Sequence, residues 1–235
     1  VFFSLNSPAP GEIGVFEEWL VYRAFVADPQ QAAMICELVD IIPTVPHNVS
    51  NALAAAGLAR ALDVPHEDIQ KALRDFRPGR HRIETVYENN GVTWINDSKA
   101  TNPHAAAASL MSHLSVIWIA GGLAKGADMQ HLIQRAGGRI KVAILVGADR
   151  QLIEAALIKD APDVPRIIID TPDDYVRGGV SNSLMEAIVA EAAKHAASGD
   201  AVLLAPACAS MDQYISYADR GDRFAAAVRK LIAHE

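Results

Sequence analysis

The spacing of apolar residues changes along the chain from one typical of strands to one typical of helices. Residues 1 to about 45 are rich in β-branched and aromatic side chains and are interrupted by proline and glycine, which predicts short strands and turns. Helical spacing follows over about 47–64 and 66–76, where apolar residues recur every three or four positions. Asn48 or Ser50 is the expected cap of the first of these helices.

Beyond residue 80, short apolar runs alternate with helical stretches. The runs are almost free of polar residues, as is typical of parallel strands that are buried on both faces. The pattern predicts an α/β fold: a Rossmann-like, doubly wound, mostly parallel sheet with helices on both faces. The predicted strands are 92–96, 115–120, 142–147, 166–170 and 201–206. The predicted helices are about 103–112, 128–136, 150–158, 183–197 and 222–233, with Asn102 capping the first and Asp222 the last.

A break in both patterns lies at Arg77-Pro78-Gly79-Arg80. Proline and glycine together interrupt helices and strands alike. The sequence therefore predicts two domains, at 1–78 and 79–235.

Composition narrows the class of protein. With 51% hydrophobic and 21% charged residues among 235, the chain is long enough for one or two globular domains. A formal charge of -7 argues against a nucleic-acid partner, because no basic stripe offsets the acidity. No apolar run approaches the ~18 residues of a membrane span. We expect a cytoplasmic monomer, and the absence of an initiating Met is expected of a fragment. Cys208, after an apolar run, is an expected buried thiol.

Polar side chains follow three of the predicted strands. In an open parallel sheet, ligands bind beyond the carboxyl ends of the strands. Ammonium and hydroxyl groups there, beside the helix that starts at Asn102-Pro103, suit carboxylate or phosphate oxygens. A carboxylate there suits ribose hydroxyls or a metal-bound water. The residues are Asp97, Ser98, Lys99 and Thr101 after the first strand, Lys125 after the second and Ser210 after the last.

Other interpretations of these residues stay open. Each stretch alone also fits an ordinary solvated turn, and only the three together favour a site. Gly121-Gly122 does not continue into G-x-G-x-x-G, and the chain has no Walker A motif. The eight histidines lack metal-ligand spacing, so no metal site is predicted in this chain.

Three stretches resemble the Mur ligases: Pro46–Ala55, His81–Ala106 and Leu203–Phe224. "NDSKATN" from Asn96 and "PACASMDQ" from Pro206 are the most specific in combination. "GGLAKGAD" from Gly121 also resembles a loop of that family, with leucine at 123 where some members carry an acidic residue.

The resemblance implies how the chain is organised. Residues 1–78 would be the tail of an α/β P-loop-type central ATPase domain. Residues 79–235 would be the complete Rossmann-like closing domain, which brings the amino acid. ATP and Mg²⁺ are the implied cofactors, and the P-loop, most magnesium ligands and a carbamylated lysine would lie upstream.

The implied activity is that of an ATP-dependent ligase in peptidoglycan precursor synthesis. It joins D-glutamate to UDP-N-acetylmuramoyl-L-alanine through an acyl phosphate. The fragment alone is expected to be inactive, because the ATPase core would be missing.

The resemblance also implies roles for individual residues. D-glutamate carboxylates would be bound by hydroxyl and ammonium groups and by the backbone near Tyr217, a position more often phenylalanine in the family. The nucleotide would be bound by amide, guanidinium and carboxylate groups, and two lysines would be catalytic. The amino-acid residues are Thr101, Lys125, Ser210 and Tyr217, the nucleotide residues are Asn48, Asn51, Arg82, Asp97 and Lys99, and the catalytic residues are Lys99 and Lys125.

Three rival functions remain from the sequence. One is a related ligase, either another Mur ligase or a folylpolyglutamate synthetase. The second is a nucleotide- or anion-binding module without turnover. The third is a Rossmann oxidoreductase, which the missing glycine fingerprint disfavours.

Overall fold

A computed structural model of the chain describes residues 1–28 and 30–232. It forms two compact units, of which the first is Val1–Pro78 and the second begins at Gly79. The division falls inside the Arg77–Arg80 segment, and the preceding helix already ends at Asp75.

The first unit is a four-stranded sheet packed against two helices. Strand order is β1-β2-β3-β4, with β1 and β2 parallel and the other neighbours antiparallel. Its core contains Leu20, Ile35, Leu53 and Ile69, from both the sheet and the helices. The elements are β1 (Phe2–Phe3), β2 (Glu12–Phe16), β3 (Trp19–Tyr22), β4 (Ala33–Glu37), a 3-10 turn (Leu38–Asp40), α1 (Pro46–Ala61) and α2 (His66–Asp75).

The predicted caps of α1 are wrong. The helix begins at Pro46, and Val45 occupies the cap position, so Asn48 and Ser50 lie inside the helix. Proline suits the first helical position because its missing N–H would have no partner there. Asn48 Nδ2 instead donates to the carbonyl oxygen of Pro43 at 3.0 Å.

The second unit confirms the α/β fold class. Its six-stranded sheet has the order β5-β6-β10-β7-β8-β9, and every neighbouring pair is parallel except β5 with β6. The strands are β5 (Glu84–Asn89), β6 (Val92–Asn96), β7 (Val116–Gly121), β8 (Ile140–Val146), β9 (Arg166–Ile168) and β10 (Ala201–Leu204). The helices are α3 (Pro103–Leu110), α4 (Gln130–Ala136) with a 3-10 turn (Gly137–Arg139), α5 (Arg150–Asp160), α6 (Ser183–His195) and α7 (Tyr217–Ile232).

Strand β5 was absent from the sequence-based prediction. It lies at the edge of the sheet, and exposed positions interrupt its apolar ones, so it has no continuous apolar run. It is joined to β6 by Asn90-Gly91, both with positive φ (50° and 76°). Asn-Gly is the preferred pair for a tight hairpin, and this signal would have identified the strand.

Helices cover both faces of the six-stranded sheet. Ile117 and Ile119 of β7 pack in one cluster with α6 and α7. Helices α3, α4 and α5 lie on the other face, where α5 contacts β7 and β8. The adjacent strands β6 and β10 therefore send their following helices, α3 and α7, to opposite faces. This is a topological switch point, where a crevice opens at the carboxyl ends of the strands.

The predicted cap of the last helix, Asp222, is also wrong. Asp222 lies inside the helix, which begins at Tyr217. Ser216 Oγ accepts from the Asp219 N–H at 3.1 Å, and the Asp219 carboxylate accepts from the Ile215 N–H, also at 3.1 Å. These reciprocal bonds satisfy free amides at the helix start. The predicted end at residue 233 lies outside the described residues.

No helix within residues 1–28 and 30–232 is both long enough and apolar enough to cross a membrane. Cys36 and Cys208 are both buried free thiols, as expected for Cys208. Burial raises the pKa of each to about 12.

Candidate functional site

The three strand ends that carry polar residues lie side by side, because β10 pairs with β6 on one edge and with β7 on the other. Main-chain hydrogen bonds join the loops that follow them. The Ala207 N–H donates to the Ala100 carbonyl at 2.9 Å. Leu123 and Ala209 exchange two main-chain bonds, each of 2.9 Å. Residues far apart in sequence thus form one surface at the switch point.

A pocket of about 190 Å³ opens on this surface. Thr101, from the β6–α3 loop, faces Ser210 and Tyr217, from the β10–α7 segment, across it. Ser210 is 3% exposed, and its hydroxyl makes no hydrogen bond to another described residue. The lining is completed by Ala209, Met211, Ile215 and Ser216. The pocket therefore offers hydroxyl groups beside the start of α7, an arrangement suited to carboxylate oxygens.

Lys99 contacts the edge of this pocket through Tyr217. Lys99 Nζ donates to Tyr217 Oη at 2.9 Å and lies 4.2 Å from the ring centroid. The hydrogen bond and the charge of Lys99 lower the pKa of Tyr217. Only the main chain of Tyr217 was expected to take part in the site. Its carbonyl oxygen is already bonded, because it accepts from Ser98 Oγ at 2.8 Å. Its side chain is the part that reaches Lys99.

Lys125 lies on the loop that follows β7, outside the pocket lining. Its side chain is exposed and makes no hydrogen bond or ion pair with another described residue. Gly121 and Gly122 shape the loop, because a Cβ on either would collide with a main-chain oxygen, of Val146 or Ala209. The Asp149 carboxylate accepts from the Ala124 N–H at 2.8 Å and fixes the loop next to Lys125.

Asp97 is a buried carboxylate at the end of β6, with 7% of its surface exposed. The Asp97 carboxylate accepts from the Ile83 N–H over a long distance of 3.4 Å. Burial raises the pKa of Asp97 to about 6, although the nearby Ser109 hydroxyl, the Ile83 amide and the charge of Arg82 oppose the rise. Arg82 itself is exposed. A perturbed carboxylate in a crevice is a functional-site candidate.

Asn48 and Asn51 lie in the first unit. Both line a pocket of about 290 Å³, whose other walls are apolar side chains and backbone of α1, α2 and the segment before α1. Asn51 is exposed at its rim, and Asn48 is partly buried. Apolar walls with a few amide groups suit a flat heteroaromatic ring.

Sequence reasoning missed Arg220. It is 3% exposed, and its guanidinium bonds Ser98 and the Cys208 carbonyl, so it joins two of the site's loops. Its position on α7 was a usable signal. Arg220 stands four residues before Phe224 and seven before Ala227, which places an arginine on the buried face of a helix.

Residues 1–28 and 30–232 contain no group of three or more histidine, cysteine, aspartate or glutamate side chains that could hold a metal ion.

A family model described as "Mur ligase, glutamate ligase domain" matches residues 81–208, which include Asp97, Lys99, Thr101 and Lys125. The chain belongs to the Mur ligase family. The resemblance carried by the three sequence stretches is thereby confirmed.

Curated Mur ligases match nearly the whole chain. A protein of Streptomyces avermitilis is 50% identical over 232 residues, covering 98% of this chain and 48% of its own length. One of Thermobifida fusca is 48% identical over 232 residues, with the same coverage. Both are named UDP-N-acetylmuramoylalanine--D-glutamate ligase. The chain spans about half the length of the curated relatives it matches.

Solved Mur-type ligases share the fold. A pseudomurein peptide ligase type C from Methanothermus fervidus has a TM-score of 0.59 at 16% identity, covering 94% of this chain and 42% of its own. A UDP-N-acetylmuramate-alanine ligase from Thermotoga maritima has a TM-score of 0.55 at 14% identity, covering 89% and 42%. At such low identities these likenesses concern the fold alone.

Proposed function

We propose that this chain is part of an ATP-dependent ligase that adds D-glutamate to UDP-N-acetylmuramoyl-L-alanine. The observation that carries the proposal is the pocket in which Thr101, Ser210 and Tyr217 meet, with Lys99 bonded to Tyr217. The names of relatives that are 48–50% identical support it.

The pocket would hold D-glutamate by its carboxylates. The Thr101 and Ser210 hydroxyls would donate to carboxylate oxygens, and free N–H groups at the start of α7 would add to them. Lys125 would supply a counter-charge from the neighbouring loop, since its ammonium has no other described partner. Holding the amino acid in a fixed orientation lowers the barrier to attack by its amine.

The proposed reaction has two steps. The alanyl carboxylate first takes the γ-phosphoryl group of ATP, which gives an acyl phosphate and ADP. The D-glutamate amine then attacks the acyl carbon, phosphate leaves from the tetrahedral intermediate, and the nitrogen loses a proton. Lys99 would stabilise the negative charge on the phosphoryl oxygens, which is the main protein contribution to such transfers.

Nucleotide binding is proposed for five residues. Asn48 and Asn51 would face the adenine in the apolar pocket of the first unit, and Asp97 would accept from ribose hydroxyls. Arg82 would reach the ribose and phosphates, and Lys99 the phosphates. Mg²⁺ would neutralise phosphate charge in the complete enzyme. We assign no step to magnesium ligands of this chain, since the described residues contain no metal-binding cluster.

The test uses a longer polypeptide that adds the upstream half expected from the resemblance, called here the restored polypeptide. Phosphate release is measured with ATP and UDP-N-acetylmuramoyl-L-alanine, offering D-glutamate, L-glutamate, L-lysine and meso-diaminopimelate in turn. We expect release with D-glutamate alone.

Two results would refute the proposal. Release with a different amino acid would make the protein a sister ligase. No release with any of them would favour a binding module. The chain of 235 residues is a useful control, because we expect no turnover from it.

A further inference from the structure

Arg220 is a buried arginine where two loops of the site meet. Its Nε donates to Ser98 Oγ at 2.9 Å, and Nη2 donates to the carbonyl oxygens of Ser98 at 3.0 Å and Cys208 at 3.2 Å. Ser98 belongs to the loop after β6 and Cys208 to the segment after β10. One guanidinium on α7 thus joins three elements of the fold.

These bonds reach the walls of the pocket lined by Thr101, Ser210 and Tyr217, called here the amino-acid pocket. Ser98 immediately precedes Lys99, and Cys208 immediately precedes Ala209, which lines the pocket. Ser98 Oγ accepts from Arg220 and donates to the Tyr217 carbonyl at 2.8 Å. Arg220 itself is not a lining residue, so it acts on the pocket through its neighbours.

The charge of the guanidinium has no ion-pair partner among the described residues. The nearby Tyr214, Asp212 and Cys208 side chains only oppose the lowering of its pKa. Burial lowers the pKa of Arg220 to about 10, so it stays protonated at neutral pH. A buried cation without a paired carboxylate is costly, and an anion in the adjacent pocket would offset part of that cost.

We propose that Arg220 is a positioning residue for the amino-acid pocket. It holds the loops that carry Lys99 and Ser210 in fixed positions relative to each other. Its positive charge makes the pocket favourable for a dicarboxylate. The inference rests on the proposed function and adds a residue to it.

The test substitutes Arg220 in the restored polypeptide. Arg220→Met removes the charge at similar length, and we expect the KM for D-glutamate to rise by about tenfold or more, or about 1.4 kcal/mol. The kcat and the KM for ATP should change by less than about threefold, because uniform ligand binding is what is lost. Arg220→Lys should be intermediate, since an ammonium keeps the charge but lacks the planar fork.

Two further variants separate positioning from general destabilisation. Ser98→Ala keeps the buried charge but removes the hydroxyl between Arg220 and Tyr217, and a smaller rise in the same KM is expected. Arg223→Met is the matched control. Arg223 lies on the same helix but does not line the pocket. It donates to Asp219 Oδ1 at 2.8 Å and to the Gly179 and Ser181 carbonyls of the β9–α6 connection. It should lower the melting temperature without a selective KM effect.

Each result decides the matter. If Arg220→Met folds and its KM for D-glutamate is unchanged, the inference about Arg220 is overturned and the proposed function stands. If Arg220→Met does not fold, an unchanged KM in both Arg220→Lys and Ser98→Ala has the same meaning. An equal KM rise in Arg223→Met would also overturn it. Absence of D-glutamate-dependent release in the unsubstituted restored polypeptide would overturn the proposed function, and this inference with it.

Discussion

Replacing Asp97 by asparagine should stabilise the second unit at neutral pH. Burial raises the pKa of this carboxyl from 3.8 to about 6. The folded state therefore binds its proton more tightly than the unfolded state, and stability is lost as pH rises through 6. At 1.36 kcal/mol per pH unit, the loss above pH 7 is about 3 kcal/mol, and Asp97→Asn removes it.

The pH dependence of this gain is the sharpest readout. It should be complete above about pH 7, decline between about pH 6 and pH 4, and disappear only below the unfolded pKa of 3.8, where both states carry the proton. Urea unfolding of this chain can be followed by Trp94 and Trp118, which are buried in the second unit. A Trp19→Phe background removes the remaining tryptophan, which lies in the first unit.

Asp200 provides a matched control, because its pKa is lowered whereas that of Asp97 is raised. It is also 7% exposed. Burial opposes its charge, but Lys141 Nζ at 2.6 Å, the Ser115 hydroxyl at 2.6 Å and the Ala197 amide at 2.8 Å outweigh burial and lower its pKa. Asp200→Asn should therefore destabilise at pH 7, with a loss that shrinks on acidification. If Asp97→Asn destabilises too, or its gain is equal at pH 4.5 and 7.5, the reasoning about Asp97 is refuted.

Three substitutions in the restored polypeptide test the proposed roles through steady-state kinetics. Lys125→Ala should raise the KM for D-glutamate by one to two powers of ten, since a charge-assisted hydrogen bond contributes roughly 1.5–3 kcal/mol; an unchanged KM would remove Lys125 from the site. Lys99→Ala should lower kcat and raise the KM for ATP, and an effect confined to D-glutamate would contradict its assignment to phosphate. Tyr217→Phe keeps the ring but loses the bond from Lys99, so a severalfold lower kcat is expected, whereas wild-type kinetics would show that the ring alone positions Lys99.

Local pattern was sufficient for most of the second unit. Continuous apolar runs identified β6, β7, β8 and β10, because a strand buried on both faces excludes polar residues. An apolar run also identified β9, although this strand lies at an edge of the sheet and has no buried residue. The same rule failed for β5, whose edge position leaves alternate side chains in water. The predicted Asn102 cap of α3 is confirmed, since its Oδ1 accepts from the Ala105 N–H at 2.9 Å. The caps of α1 and α7 were wrong; for α7, Asp222 and Ser216 are both good cap residues and only packing selects between them.

The sequence by itself determined which residues stand at the ends of the strands, because the spacing of apolar residues that distinguishes a strand from a helix can be seen within a few neighbouring positions. It also carried the family resemblance, which named Thr101 and Ser210 together. Only the tertiary structure placed β10 between β6 and β7, and so brought these two hydroxyls, more than a hundred positions apart, into one pocket. It alone decided that Arg220 is buried with no ion-pair partner in the described part of the chain and that Asp97 has a raised pKa. Strand order, burial and charge pairing depend on contacts between distant segments, and no local spacing encodes them.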